Sequence, residues 1–445
     1  MDISRALSEE LAALEAAHFR RHLRVLQSGQ GSKVSIGDEP LINFSSNDYL
    51  GLATHPALRA GAEKMQRRYG TGAGASRLVC GNTELAEELE AALARWKGTE
   101  AALVFSTGYA AATGAIPALV GQGDTVVLDK LCHASLIDGA RLSGAHMRVF
   151  PHNNMARLEE ILAAVRDAPP PSGQQRRARG LARSGAVPDR PPRVLICTES
   201  VFSMDGDIAP LRALVALKEK HGAWLMVDEA HATGVRGDGR AGLVEELELT
   251  GQVDVQMGTL SKALGSSGGY IAGCAALREV LINRARSFIY STAPSPSVTG
   301  ASLAAVELLQ SDDGERRRGD LWTNIAALAQ ALSDIPGARR MSGNAWLAPG
   351  CERAESGAPP GAAASAASAY PASPIFAWIT GTEESALALS RRLHEQGILA
   401  PAIRYPTVPR GTARIRLTVS AAHTIPQITQ LAAALASAAW QVPPS

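Results

Sequence analysis

The sequence predicts an α/β fold on a mainly parallel central sheet, followed by a smaller C-terminal α+β domain. Three observations carry this. Short apolar runs of strand length, "DTVVLD", "RVLICTES", "AWLMVDEAH" and "VDVQMGT", each end in polar residues. Helical patterns lie between them, such as "IAPLRALVALKEKHG" with Gly222 as its stop. Apolar strands alternating with helices need a parallel sheet covered on both faces. Near residue 300 the composition changes, and "PIFAWIT" and "TARIRLTVS" supply strand patterns beyond it.

Taken in order, residues 1–45 read as an N-terminal helical segment. It opens on "MDISRALSEELAALEAAHFRR", which is acidic and helical in pattern and unlike a secretory signal. Residues 46–300 read as the large α/β domain. There Leu85, Leu89, Leu93 and Trp96 recur at helical spacing on one face. "AALVFSTGYAAATGAI" reads as strand, tight turn and helix. Residues 301–445 form the small C-terminal domain. Two stretches, 167–192 and 350–373, are rich in Pro, Ala, Ser, Gly or Arg and too poor in apolar residues to order themselves. They are expected to be mobile surface inserts.

Bulk properties exclude several classes of function. A formal net charge of +1 gives no basic field for nucleic acid or a membrane surface. The Arg cluster at 167–192 lacks the interleaved aromatics of a nucleic-acid module. No apolar run reaches membrane-spanning length. The five cysteines (80, 132, 197, 274 and 351) are scattered and include no CxxC pair, which points to free thiols in a reducing cytoplasm rather than a zinc site. The histidines show no metal-ligand spacing, so no metal is expected.

In parallel α/β sheets, ligands bind beyond the carboxyl ends of the strands. Those ends carry particular polar groups here. Asp228 closes one strand, and His231 follows three residues later. Ser203 lies in the loop after another strand, and His133 follows "VVLD". Gly108 and Tyr109 stand where a helix begins, and a helix N-terminus can hold a phosphate through backbone N–H groups. Lys262, in "GTLSKALGSSGGY", is one of seven lysines against 37 arginines. It reads either as a turn lysine or as an amine in a dry site, where burial frees it as a nucleophile. Arginine cannot do that, because it stays protonated. Singly, Asp228 could be a helix cap, His133 a core histidine and Ser203 a turn residue. Together these parts suit pyridoxal phosphate. Its aldehyde needs Lys262, its ring nitrogen Asp228, its phosphate Gly108, Tyr109 and Thr259, and its ring a flat partner such as His133. "DEAH" has a helicase reading as well, which the absence of any Gly-Lys dipeptide excludes.

Seven segments occur in one order: "NFSSNDYLGL", "GAGASR", "HASLIDGARLSGA", "ESVFSMDGDIAPL", "MVDEAHATGVRG", "TLSKALGSSGGY" and "YPTVPRGTARIRLTVSAAHT". This series resembles the α-oxoamine synthases, pyridoxal-phosphate enzymes of fold type I, from about residue 19 to the C-terminus apart from the two inserts. The resemblance implies that Lys262 carries the cofactor as a Schiff base and that Asp228 pairs with its ring nitrogen. It places His133 against the ring, Ser203 and His231 near the ring hydroxyl, and Gly108, Tyr109 and Thr259 near the phosphate. Asn47 and Arg416 would hold the amino acid, with Arg416 on its carboxylate, and Arg21 and Thr407 match substrate-contacting positions. Lys262, His133 and Asp228 would be the catalytic residues. The family implies a homodimer, with Thr292 reaching the neighbour's phosphate.

"HASLIDGARLSGA" and "IYSTAPSP" resemble most the branch that condenses L-alanine with a pimeloyl thioester, on CoA or acyl carrier protein, to 8-amino-7-oxononanoate for biotin. Tyr405 stands where that branch more often has Pro. Other branches remain as alternatives, one joining glycine to acetyl-CoA and one making 5-aminolevulinate, as does a plain aminotransferase. A non-catalytic scaffold of the same fold would be expected to lack Lys262 or Asp228.

Overall fold

A computed structural model describes residues 2–17, 19–167, 190–341, 344–351 and 371–439. Nearly all of the two stretches read as inserts, 167–192 and 350–373, lies outside the described residues.

The chain opens with α1 (Ile3–Ala16), β1 (Lys33–Ile36), β2 (Glu39–Asn43), α2 (Pro56–Tyr69) and α3 (Glu84–Lys97). Next come β3 (Ala101–Phe105), α4 (Gly108–Leu119), β4 (Thr125–Asp129), α5 (Ala134–Ser143), β5 (His146–Phe150) and α6 (Met155–Asp167). β6 (Val194–Glu199), α7 (Leu211–His221), β7 (Trp224–Asp228), β8 (Val255–Thr259), β9 (Gly269–Gly273) and α8 (Ala275–Arg284) complete the central layer. After α9 (Pro296–Leu309) and α10 (Asp312–Ser333) follow β10 (Arg339–Arg340), β11 (Ala345–Leu347), β12 (Ile375–Gly381) and α11 (Glu383–Glu395). β13 (Ile398–Leu399), β14 (Ala402–Ile403), β15 (Ala413–Thr418) and α12 (Ile425–Ala439) end the described chain.

The predicted alternation is present. The central sheet runs β3-β9-β8-β7-β6-β4-β5. Its neighbours pair in parallel except at β9, which is antiparallel to both β8 and β3. Apart from the exposed edge strand β5, the strands are apolar along most of their length because helices cover both faces. One face packs Ile116 of α4, Leu136 of α5 and Leu281 of α8. The other belongs to an apolar cluster that continues through Leu93 of α3 to Trp346, Phe376 and Trp378 of a second sheet, so the two sheets share one core. That second sheet, β10-β11-β12-β15-β14, falls wholly after residue 300. Helices stop where the sequence marks them: Gly98 and Gly222 take left-handed conformations (φ 64° at each) after α3 and α7.

One expectation needs correction. The first 45 residues are not helical throughout. α1 ends at Ala16, and residues 33–43 form an antiparallel hairpin turned at Gly37 (φ 60°). Val34 and Leu41 bury their side chains against Leu399, and β2 pairs in parallel with β13. The alternation in "KVSIGDEPLIN" fits that half-buried surface, and tertiary pairing with residues 398–399 recruits it.

Candidate active site

All central strands but β9 run in one direction, so Phe105, Asp129, Glu199, Asp228 and Thr259 end at the same edge. α4 begins there, its cap Thr107 accepting from the Ala110 N–H at 2.9 Å. Glycine permits this close approach: a Cβ on Gly269 would lie 2.5 Å from the Gly108 Cα. One on Gly108 would lie 3.5 Å from Thr259 Oγ1, so Gly108 and Thr259 are neighbours. Thr259 itself donates to the Gly268 carbonyl at 2.8 Å.

Lys262 follows β8 by three residues. Its Nζ lies 2.7 Å from His231 Nε2. His231 Nδ1 lies 2.6 Å from the Tyr49 hydroxyl, which donates to Asn47 Oδ1 at 3.1 Å. Both terminal nitrogens of Arg416 donate to the same Asn47 oxygen at 3.1 Å, and Arg416 Nε donates to the Ser203 carbonyl at 2.6 Å. An unbroken polar chain therefore joins a lysine amine to a guanidinium. His231, Tyr49 and Arg416 are all buried. Burial lowers the Lys262 amine to about 8, with Asp228 and Glu199 opposing and Arg416 assisting. Burial and the neighbouring cations hold His231 well below its ordinary value, so its imidazole is neutral at pH 7. Burial pushes the Tyr49 phenol up to about 12.

Two carboxyl groups end adjacent strands, with Glu199 opposite Asp228 in register. Asp228 Oδ1 accepts the Ala230 N–H at 2.9 Å. Burial raises its carboxyl, and the Lys262 charge partly offsets this. Glu199 accepts the His133 N–H at 2.7 Å. Burial, and then the charge of Asp228, hold Glu199 well above the carboxylate range. His133 caps α5, with its Nδ1 2.8 Å from Ser135 Oγ. Burial lowers the His133 imidazole, while Asp228 raises it and Lys262 lowers it, so all three groups share one electrostatic site.

The sequence profile of class I and II aminotransferases matches residues 39–435. The chain belongs to that family. It is 43% identical over 434 residues to 8-amino-7-oxononanoate synthase of Geobacter sulfurreducens, covering 98% of each chain. It is 42% identical over 439 residues to the enzyme of the same name from Anaeromyxobacter dehalogenans, covering 99% of this chain and 96% of that one. The solved serine palmitoyltransferase with pyridoxal phosphate as internal aldimine superposes with TM-score 0.82 at 28% identity, over 100% of both chains. An 8-amino-7-oxononanoate synthase from Francisella tularensis shares the fold, with TM-score 0.67 at 24% identity, over 89% of this chain and 97% of that one. The protein is therefore a pyridoxal-phosphate-dependent transferase of fold type I.

The family's cofactor fits the residues present. A lysine with a lowered pKa, a buried carboxyl on the adjacent strand and a glycine-opened helix N-terminus converge at one edge. Among the described residues no cluster of His, Cys, Asp and Glu could hold a metal, and no helix is long and apolar enough to cross a membrane.

Not every residue named from sequence joins this family site directly. Tyr109 lies at the start of α4, but the residue is 50% exposed and its phenol donates to Asp138 at 2.8 Å. Arg21 and Thr407 meet each other at 3.5 Å on the surface, beside Tyr405 and its partner Phe19. Thr292 is exposed and bridges to Ser76. Two residues that the sequence does not single out also join the site. Tyr49 lies inside "NFSSNDYLGL", two residues from Asn47, to which its hydroxyl donates. Glu199 satisfies the same strand-end rule that singled out Asp228.

Proposed function

We propose that this enzyme condenses L-alanine with a pimeloyl thioester, carried on CoA or acyl carrier protein, giving 8-amino-7-oxononanoate, CO2 and the free thiol. The observation that supports this reading is the polar chain that joins the Lys262 amine to the Arg416 guanidinium in one site. The names of the relatives support the choice of substrates.

Pyridoxal phosphate, when bound in this site, would supply the electron sink that acidifies the hydrogen on the amino acid's α-carbon. Arg416, steadied by Asn47 and the Ser203 carbonyl, binds the substrate carboxylate and fixes the orientation of that C–H bond. Lys262, with its lowered pKa, is partly neutral at pH 7 and takes the proton as general base. Asp228 holds the cofactor's ring nitrogen protonated. Ser203 and His231 would hold the ring hydroxyl, and His133 would lie against the ring. Gly108, Thr259 and the backbone at Tyr109 hold the phosphate at the start of α4. Arg21 and Thr407 form the outer rim met by the substrate. The working unit in this reading is a cytoplasmic homodimer. The exposed Leu78, Val79 and Tyr290 near Thr292 support a subunit contact there, and the five free cysteines suit a reducing compartment.

The test mixes the purified protein with L-alanine or glycine, adds pimeloyl-CoA or acetyl-CoA, and follows thiol release. Release is expected with alanine and pimeloyl-CoA. Release with glycine and acetyl-CoA instead would overturn the choice of substrates.

A further inference from the structure

The loop after β6, residues 200–208, carries Ser203, whose carbonyl accepts from Arg416 Nε. Residues outside the site clamp this loop from two sides. On the side of the central sheet, His152 stands between two carboxylates. Its Nδ1 lies 2.9 Å from Asp129 Oδ1 and its Nε2 lies 2.7 Å from Asp207 Oδ2. Asp129, the last residue of β4, is itself fixed by the N–H groups of Leu131 and Asn153, both at 2.8 Å. Asn153, held at φ 52°, donates to Asp207 Oδ2 at 3.3 Å and to the Ile208 carbonyl at 3.2 Å. The other Asp207 oxygen is buried and has no hydrogen-bond partner among the described residues, so there that carboxylate depends on His152 and Asn153. The His152 ring meets Phe202 edge-on, with centroids 4.3 Å apart.

On the side of the second sheet, Arg414 of β15 pairs with Asp205 and donates to the Met204 carbonyl at 3.3 Å. Ser373 donates to the Gly206 carbonyl at 2.8 Å. Within the loop, Phe202 N–H donates to the Asp207 carbonyl and Gly206 N–H donates to the Phe202 carbonyl, both at 2.9 Å. Displacement at Asp207 is thereby passed to Phe202 and Ser203.

We propose that His152, held between Asp129 and Asp207, is a positioning residue for the amino-acid carboxylate: it fixes loop 200–208 so that Ser203 presents its carbonyl to Arg416. His152 touches neither substrate nor cofactor in this scheme. It acts through two covalent neighbours, Phe202 and Ser203, on the one guanidinium nitrogen that Asn47 does not engage. Burial opposes the charged imidazole, but the two carboxylates raise it to about 10, so the clamp stays charged across the neutral range.

The inference rests on reading Arg416 as the carboxylate clamp. Its test uses the holoenzyme of wild type, His152→Gln and Asp207→Asn. KM for the amino acid is expected to rise about tenfold or more, because a small misplacement of an orienting group is costly. The KM for the thioester and the bound cofactor content, which Lys262 secures, should stay at wild-type values. A merely structural role would lower the folded fraction or the melting temperature and leave the amino-acid KM of the surviving enzyme alone. An amino-acid KM within twofold of wild type in both variants overturns the proposal, whatever happens to stability. If the wild type responds to glycine or serine and not to alanine, the substrate assignment fails. The same ratio measured with that amino acid still decides the role of His152, because the α-carboxylate is common to all three. Asp207→Asn keeps the side-chain shape and serves if His152→Gln fails to fold.

Discussion

Lys97 and Lys262 are both drawn out of water, yet their environments push them in opposite directions. Lys97, at the end of α3, touches the Glu229 carboxylate and the Ala241 carbonyl, and both partners in the ion pair are almost wholly buried. Burial pulls its amine down, but Glu229, through charge and hydrogen bond, together with Tyr270 and Glu245, more than offsets this, and the net direction is upward. Glu229 is anchored in turn by the Val244 N–H at 2.9 Å. Lys262 has a neutral imidazole at 2.7 Å instead of a carboxylate, and its amine falls to about 8. Burial alone therefore does not make a nucleophile. A lysine keeps its proton where an anion touches it and sheds it where the nearest partner is uncharged.

The largest expected effect separates the two in function. Lys262→Ala should cut turnover by about 10²-fold to 10⁴-fold or more, the usual share of a positioned general base. It should also abolish the lysine-linked visible band, with the thermal midpoint scarcely changed. A persisting protein-bound band with wild-type absorbance would break the assignment. Lys97→Met should do the reverse. Stranding Glu229 in the core is expected to cost about 3–5 kcal/mol of stability, measured by denaturant unfolding, with kcat per folded molecule near wild type. Lys97→Met combined with Glu229→Leu should recover most of that loss. If the double variant is no more stable than the single one, the cost lies in packing and not in an unpaired charge.

The sequence made one of these lysines legible and not the other, for a physical reason. Lys262 sits in a run of small and hydroxylated residues, "TLSKALGSS", at the end of an apolar strand. Strand order places that end beside Asp228, and local pattern predicts strands well. Lys97, in "RWKGTE", looks like an ordinary last-turn helix residue, where a cation favours the dipole. Its burial comes from Glu229, 132 positions away, which no local pattern reveals. The same limit explains the rest. The parallel sheet and its strand-end residues follow from local periodicity. The hairpin at 33–43 depends on β13, and the contact of Tyr49 with His231 spans 182 positions.

A finer contrast lies in the pH at which each amine becomes reactive. Schiff-base formation needs the neutral amine. An amine with a pKa of about 8 is roughly one-tenth neutral at pH 7, whereas one at the ordinary ~10.4 is neutral in only about one molecule in 2,500. The rate at which cofactor-free protein takes up pyridoxal phosphate, followed by the visible band, should rise nearly tenfold per pH unit below 7 and level off above about 8. A rise continuing to pH 10 would mean that Lys262 behaves as a surface lysine. Tyr49→Phe then sharpens the reading. With the phenol proton given to Asn47, the neutral His231 ring donates through Nδ1 to the phenol oxygen and offers Nε2 as an acceptor to the Lys262 ammonium. Removing the hydroxyl frees the imidazole to place its proton on Nε2, facing the ammonium and disfavouring it. The inflection should therefore move down, by up to about one pH unit. An upward shift would mean that the ring proton already faces Lys262 in the wild type.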